Sequence, residues 1–243
     1  MSVGASVREN TKVQESFTDT DTHTDTRYFM LPKQDNLPLA RQMAVRSLLQ
    51  SDLAERAARS GGRYRSESGG RGKIRLPYLG RDLCLSFPAG AIEPGNGEGR
   101  LSLREEILVF HYLEKAAGVP ASGKWTSFAE IPGGTFYNPV FLKRCKAPLV
   151  KNFGEDPQKL MAVAAEEIRG EPFPLGDTGV RVPAFPRVNL GLVLWKGDDE
   201  FPPEGNVLFD SSITGYLPVE DIVILAEVVV WRLIKAKSIA QRA

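Results

Sequence analysis

The side chains with the clearest capacity for chemistry are a histidine in an apolar segment and a run of carboxylates in a short turn. Of the two histidines in the chain, His23 lies in a Thr/Asp repeat and His111 lies in LSLREEILVFHYLEK. The spacing of Leu103, Ile107, Phe110, His111 and Glu114 places them on one helical face. An imidazole on such a face is either a hydrogen-bonded core residue or a base or ligand near its working pH, with Glu114, one turn on, placed to orient the ring. The carboxylates are Asp198, Asp199 and Glu200 in the turn LWKGDDEFPPEGNVLFD, with Asp210 at the end of the strand that follows. Adjacent carboxylates repel unless solvated, paired or gathered around a cation. Two readings therefore stand, a solvated hairpin tip and a site for a divalent metal ion. The DDEFPPEG spacing lacks the alternating oxygen ligands and closing glutamate of an EF-hand. A third group is Gly133 and Gly134, a tight turn leading to Tyr137; with Trp195, these form candidate walls and floor of a ligand pocket.

The elements that must position these groups read as hairpins and helices. Val188–Trp195 is a nearly unbroken apolar run rich in β formers, which predicts a strand covered on both faces. Pro202 and Pro203 end its ladder, and Asn206–Phe209 resumes as an antiparallel partner. Lys73–Phe87 alternates apolar and polar residues around Tyr78–Asp82, a second hairpin with one basic face. Prolines confine two short strands within 171–186 to edges or bends. Ser102–Ala117 opens on a Ser102/Glu105 capping box and stops before Gly118. Further helices are expected over Pro38–Ala58, Val140–Phe153, Pro157–Arg169 and Val219–Lys237, with 88–99 as loop. The basic residues of the second, Lys143, Arg144, Lys146 and Lys151, face either the acidic hairpin or a ligand. The expected class is α+β, an antiparallel sheet of short hairpins packed against several helices. Residues 1–36, where Thr and Asp alternate and core formers are few, are expected to be a disordered tail; 37–243 are expected to form one domain.

Charge and composition remove several classes. Thirty-one basic against thirty acidic residues leave no net field for nucleic acid or an anionic membrane. The basic, glycine-containing stretch from Arg41 to Arg81 has neither the aromatic series of a single-strand binder nor a phosphate-loop motif. Cys84 and Cys145 match no metal-binding spacing, so no zinc ribbon or iron–sulfur cluster is expected from this chain alone. With no apolar run of about 18 residues and no leader pattern, the expectation is a cytoplasmic protein with no membrane partner.

Four stretches, LSLREEILVFHYLEKAAGVP, WTSFAEIPGGTFYNPVF, LVLWKGDDEFPPEGNVLFD and YLPVEDIVILAE, occur in an order that resembles domain of unknown function family 3786 from about Leu39 to Leu233. The resemblance implies an association with anaerobic bacteria and archaea, and an occasional fusion to an iron–sulfur domain similar to that of corrinoid iron–sulfur proteins. It supplies no catalytic residues. It does imply an accessory domain binding a cofactor or partner in anaerobic corrinoid or iron–sulfur metabolism, with an iron–sulfur or corrinoid protein as partner and His111 as a candidate ligand. A divalent-metal-dependent enzyme, with His111 as base and the acidic residues as ligands, and a structural or oligomerisation module are the alternatives.

Overall fold

A computed structural model of the chain describes residues 36–95 and 99–240; the Thr/Asp segment expected to be a tail lies outside them up to residue 35. The fold is α+β, built on two antiparallel sheets. The first is a meander of β1 (Arg63–Glu67), β2 (Arg71–Tyr78), β3 (Arg81–Phe87) and β4 (Ala91–Pro94). The second has the order β5-β9-β8-β7-β6, from β5 (Trp125–Ser127), β6 (Glu171–Pro172), β7 (Thr178–Phe185), β8 (Val188–Trp195) and β9 (Glu204–Asp210). The predicted core hairpin is present as β8 and β9, paired from Leu190–Phe209 to Trp195–Glu204. β8 is buried over all but two of its residues, Asn189 and Trp195, because it lies at the centre of the sheet.

The helices are α1 (Leu37–Leu49), α2 (Leu53–Ser60), α3 (Leu103–Lys115), α4 (Gly134–Phe141), α5 (Ala147–Phe153), α6 (Pro157–Ile168) and α7 (Val219–Ala240). Three boundaries differ from expectation. The segment 38–58 is two helices, because the Asp52 carboxylate caps a new one by accepting from the Ala54 and Glu55 amides. The segment expected as a helix from Val140 is already helical at Gly134, and a π-helical turn, Leu142–Lys146, joins α4 to α5. That wider turn falls just before Pro148, which has no N–H to return to the preceding turn and crowds its carbonyl. Residues 88–99 hold a strand, β4, and Arg63–Glu67 forms another. Both are outer strands, and β1 is exposed over its first four residues, so neither carries the apolar alternation by which a strand is read from sequence.

The β2–β3 hairpin closes through Leu79 and Gly80, both at positive φ, as a two-residue turn of the type that matches strand twist. Leu79 is buried and its amide donates to the Ala184 carbonyl on β7 at 3.0 Å, tying the first sheet to the second. Tyr112 of α3 completes the junction. Its ring stacks on Phe185 with centroids 4.0 Å apart, and its hydroxyl donates to the Ser60 carbonyl at 2.7 Å while accepting from the Arg187 amide. The helix is covered on more than one side, so Ile107 to Phe110, Tyr112 and Leu113 are all buried, whereas Leu103, expected inside, is 40% exposed.

Candidate functional site

Ser102 fixes the start of α3: its hydroxyl accepts from the Glu105 amide, and the Glu105 carboxylate accepts from the Ser102 amide at 3.0 Å. Counting from that cap, His111 falls on the side facing the first turn of α7. Its Nδ1 lies 2.7 Å from Oδ2 of Asp221, a buried carboxylate. The ring itself is half-buried, with 30% of its side-chain surface open. The Asp221 hydrogen bond raises the imidazole pKa from its ordinary 6.5, opposed by partial burial and assisted by the charges of Asp221 and Glu114. Among the described residues Nε2 has no hydrogen-bond partner. Glu114, expected to orient the ring, instead accepts from the Ser47 hydroxyl of α1 at 2.5 Å. Asp221 takes the orienting position, from a helix 110 residues away.

The same helical turn receives a second donor. The Tyr137 hydroxyl of α4 donates to Glu220 Oε1 at 2.7 Å; this bond raises the phenol pKa and lowers that of the carboxyl. Gly133 reaches the turn too: it stands at φ +80°, and a Cβ there would meet only Val219, at 3.5 Å. Ile131 to Gly134 is a type II turn, closed by the Gly134 amide on the Ile131 carbonyl at 2.7 Å, with Pro132 and Gly133 at its two centres. His111, Gly133 and Tyr137 thus converge on Val219, Glu220 and Asp221. Gly134 faces elsewhere. A Cβ on it would lie 2.0 Å from the Phe128 carbonyl oxygen, so it is there for close backbone packing. Trp195 is not part of this convergence. β8 starts beside Tyr112, where Arg187 is bonded, and Trp195 lies seven residues beyond Val188, roughly 23 Å along an extended strand.

The acidic residues are spread over two places. Asp198 accepts from the Glu200 and Phe201 amides at 2.9 and 2.8 Å, which shapes its own loop and lowers its pKa. Asp199 and Glu200 are exposed beside it. Lys146, one of the four basic residues expected opposite this hairpin, pairs with Glu204 at 2.7 Å, while Arg144 pairs with Glu227 of α7. Asp210 lies at the other end of β9, six residues from Glu204 and so roughly 20 Å away. It is buried. Oδ1 accepts from the amides and hydroxyls of Ser122 and Ser212, and Oδ2 from the Gly123 amide at 2.7 Å. Desolvation pushes its pKa up, but these bonds outweigh it and hold the carboxyl at about 2. Among the described residues no three His, Cys, Asp or Glu side chains stand together as a metal ligand set. Cys145 is buried in the π turn, its thiol pushed up by desolvation.

The residues missing from the sequence reading are Asp221, Glu220 and Ser122. The one signal for the first two was an acidic pair opening the last helix, which any helix N-terminus favours. Among the described residues no helix is long and apolar enough to cross a membrane. No curated protein and no solved structure matches the chain. The family model described as Domain of unknown function (DUF3786) matches residues 52–232, a span that takes in both sheets, His111, Tyr137 and Asp221, and by that match the chain belongs to this family.

Proposed function

We propose that the chain is a cytoplasmic accessory domain of anaerobic corrinoid or iron–sulfur metabolism that presents His111 to a metal-bearing cofactor carried by a partner protein. The observation that carries this reading is the 2.7 Å bond from a buried Asp221 to Nδ1 of a half-exposed imidazole. A histidine whose one nitrogen is held by a carboxylate has its ring orientation fixed and its other nitrogen made more basic, the arrangement found behind metal-bound histidines. His111 is the residue that would hold a corrinoid cobalt or haem iron, with Asp221 orienting its ring; such a group would supply the metal-centred chemistry, and the chain would supply the nitrogen that holds it. Tyr137 and Gly133 flank the same helical turn. The acidic hairpin enters as part of the fold, since the Asp198 carboxylate is spent on the backbone amides of its own loop.

Absorbance titration of the full chain with aquocobalamin, and separately with haem, tests this. A saturable shift in the cofactor's absorbance is expected for the wild type and is lost in His111→Ala. Asp221→Asn should weaken binding by about tenfold, within the range for removing such an orienting partner. No saturable shift with either cofactor or with a cluster-bearing partner, or a shift that survives His111→Ala, overturns the proposal.

A further inference from the structure

The second sheet has a face turned away from the aliphatic core, and a row of polar residues crosses it under an aromatic cover. The pairings set the row. Trp125 on β5 is opposite Asp210 on β9, and extending the Leu190–Phe209 register by one residue puts Asn189 on β8 beside Asp210. Side chains alternate along strands, so Gly191 and its partner Arg181 on β7 share this face. Trp125 comes from one edge of the sheet, and Phe173, just beyond β6, comes from the other. Their rings meet above Gly191 with centroids 4.5 Å apart and planes at 54°. A Cβ at Gly191 would lie 2.8 Å from Phe173 and 3.3 Å from Trp125, so the rings come this low only because the central strand has no side chain there. Between these rings and the polar row is a cleft of about 250 Å³, lined by Trp125, Phe173, Arg181, Asn189 and Asp210 among others.

The polar groups around the cleft have capacity left over. Asp210 Oδ2 takes a single hydrogen bond, from Gly123, whereas Oδ1 takes four; a carboxylate oxygen has two acceptor sites. The Asn189 side-chain amide has no hydrogen-bond partner among the described residues. Arg181 is held by Glu171 in an exposed pair, of the kind that contributes little and exchanges readily.

The geometry points to a binding site for an amino-substituted nucleobase carrying a phosphate. Its π-face would stack on Phe173, with the Trp125 ring, inclined at 54° to it, closing against the base's edge; its exocyclic N–H would donate to Asp210 Oδ2, Asn189 would bond the neighbouring ring edge, and Arg181 would turn from Glu171 to the phosphate. The volume suits one base and part of its sugar. Uracil would be disfavoured, because the two carbonyls beside its N3–H would face the carboxylate.

Isothermal titration of the full chain with the monophosphates of adenosine, guanosine, cytidine and uridine, and with ribose 5-phosphate, tests this. At least one amino-bearing nucleotide should bind more tightly than uridine monophosphate and ribose 5-phosphate. Phe173→Ala should weaken that binding by about tenfold or more, as removing one stacking partner does, and Asn189→Ala should weaken it as well. Both sites are partly exposed, so melting curves will show the variants folded. Arg181→Ala should weaken nucleotide binding and leave nucleoside binding unchanged. No binding at millimolar ligand, equal affinity for ribose 5-phosphate, or affinity unchanged in Phe173→Ala and Asn189→Ala would each overturn the proposal.

Discussion

His111 and Asp221 stand 110 residues apart in sequence and 2.7 Å apart in the fold, one half-exposed and the other buried. Because the bond raises the imidazole pKa above 6.5, the folded state binds the His111 proton more tightly than the unfolded chain does. The stabilisation is therefore fully present below about pH 6.5, the unfolded value, and fades as pH rises through the folded pKa. Asp221→Asn removes the charge that holds the proton. Its loss of stability relative to wild type, measured by urea unfolding across pH, should be greatest at acidic pH and shrink above neutrality. In nuclear magnetic resonance titrations the His111 pKa should drop in this variant; an unchanged value would remove Asp221 from the account.

Asp210 behaves in the opposite sense. Its folded pKa, about 2, is below the ordinary 3.8, so its contribution is present above about pH 4 and is lost as pH falls toward 2. A shift of this size corresponds to something on the order of 2 kcal/mol. Asp210→Asn cannot accept at both former oxygens and turns an N–H toward groups that themselves donate. It should lose about 2 to 3 kcal/mol at neutral pH and flatten the acid limb of the stability curve. Asp199→Asn and Glu200→Gln, exposed in the hairpin loop, should leave the melting temperature unchanged.

The two glycines of the α4 entry separate by mechanism. Gly133→Ala meets no close atom but must hold φ +80°, a left-handed conformation that costs about 1 to 2 kcal/mol for a residue with a Cβ. Gly134→Ala places a carbon 2.0 Å from a backbone carbonyl oxygen, so α4 must move away from the turn at Phe128. Overpacking of that kind costs about 1 to 3 kcal/mol or more. Chemical denaturation should rank Gly134→Ala as the more damaging. Gly134→Ala should also disturb the Tyr137–Glu220 contact, seen as a fall in the tyrosine pKa, while Gly133→Ala should leave it in place.

Local pattern determined much of the fold. The capping box of α3, the alternation of β2 and β3, and the unbroken apolar run of β8 each carry their structure within ten or so residues, where hydrogen bonding and side-chain periodicity act directly. The outer strand β1 escaped because a strand exposed to water carries no burial pattern to read, and β4 because four residues with one apolar side chain packed on the core, Ile92, are too few to show alternation. The sites were less legible, for a related reason. Sequence could nominate His111, Tyr137 and Asp210 by type, but their partners are set by which helix end or loop packs against them. Only the tertiary structure brought Asp221 to the imidazole, Ser122 and Gly123 to Asp210, and Trp125 and Phe173 together from opposite edges of a sheet. A buried polar group must find some partner, yet which one it finds is decided by the packing of distant apolar faces, and spacing along the chain does not encode that.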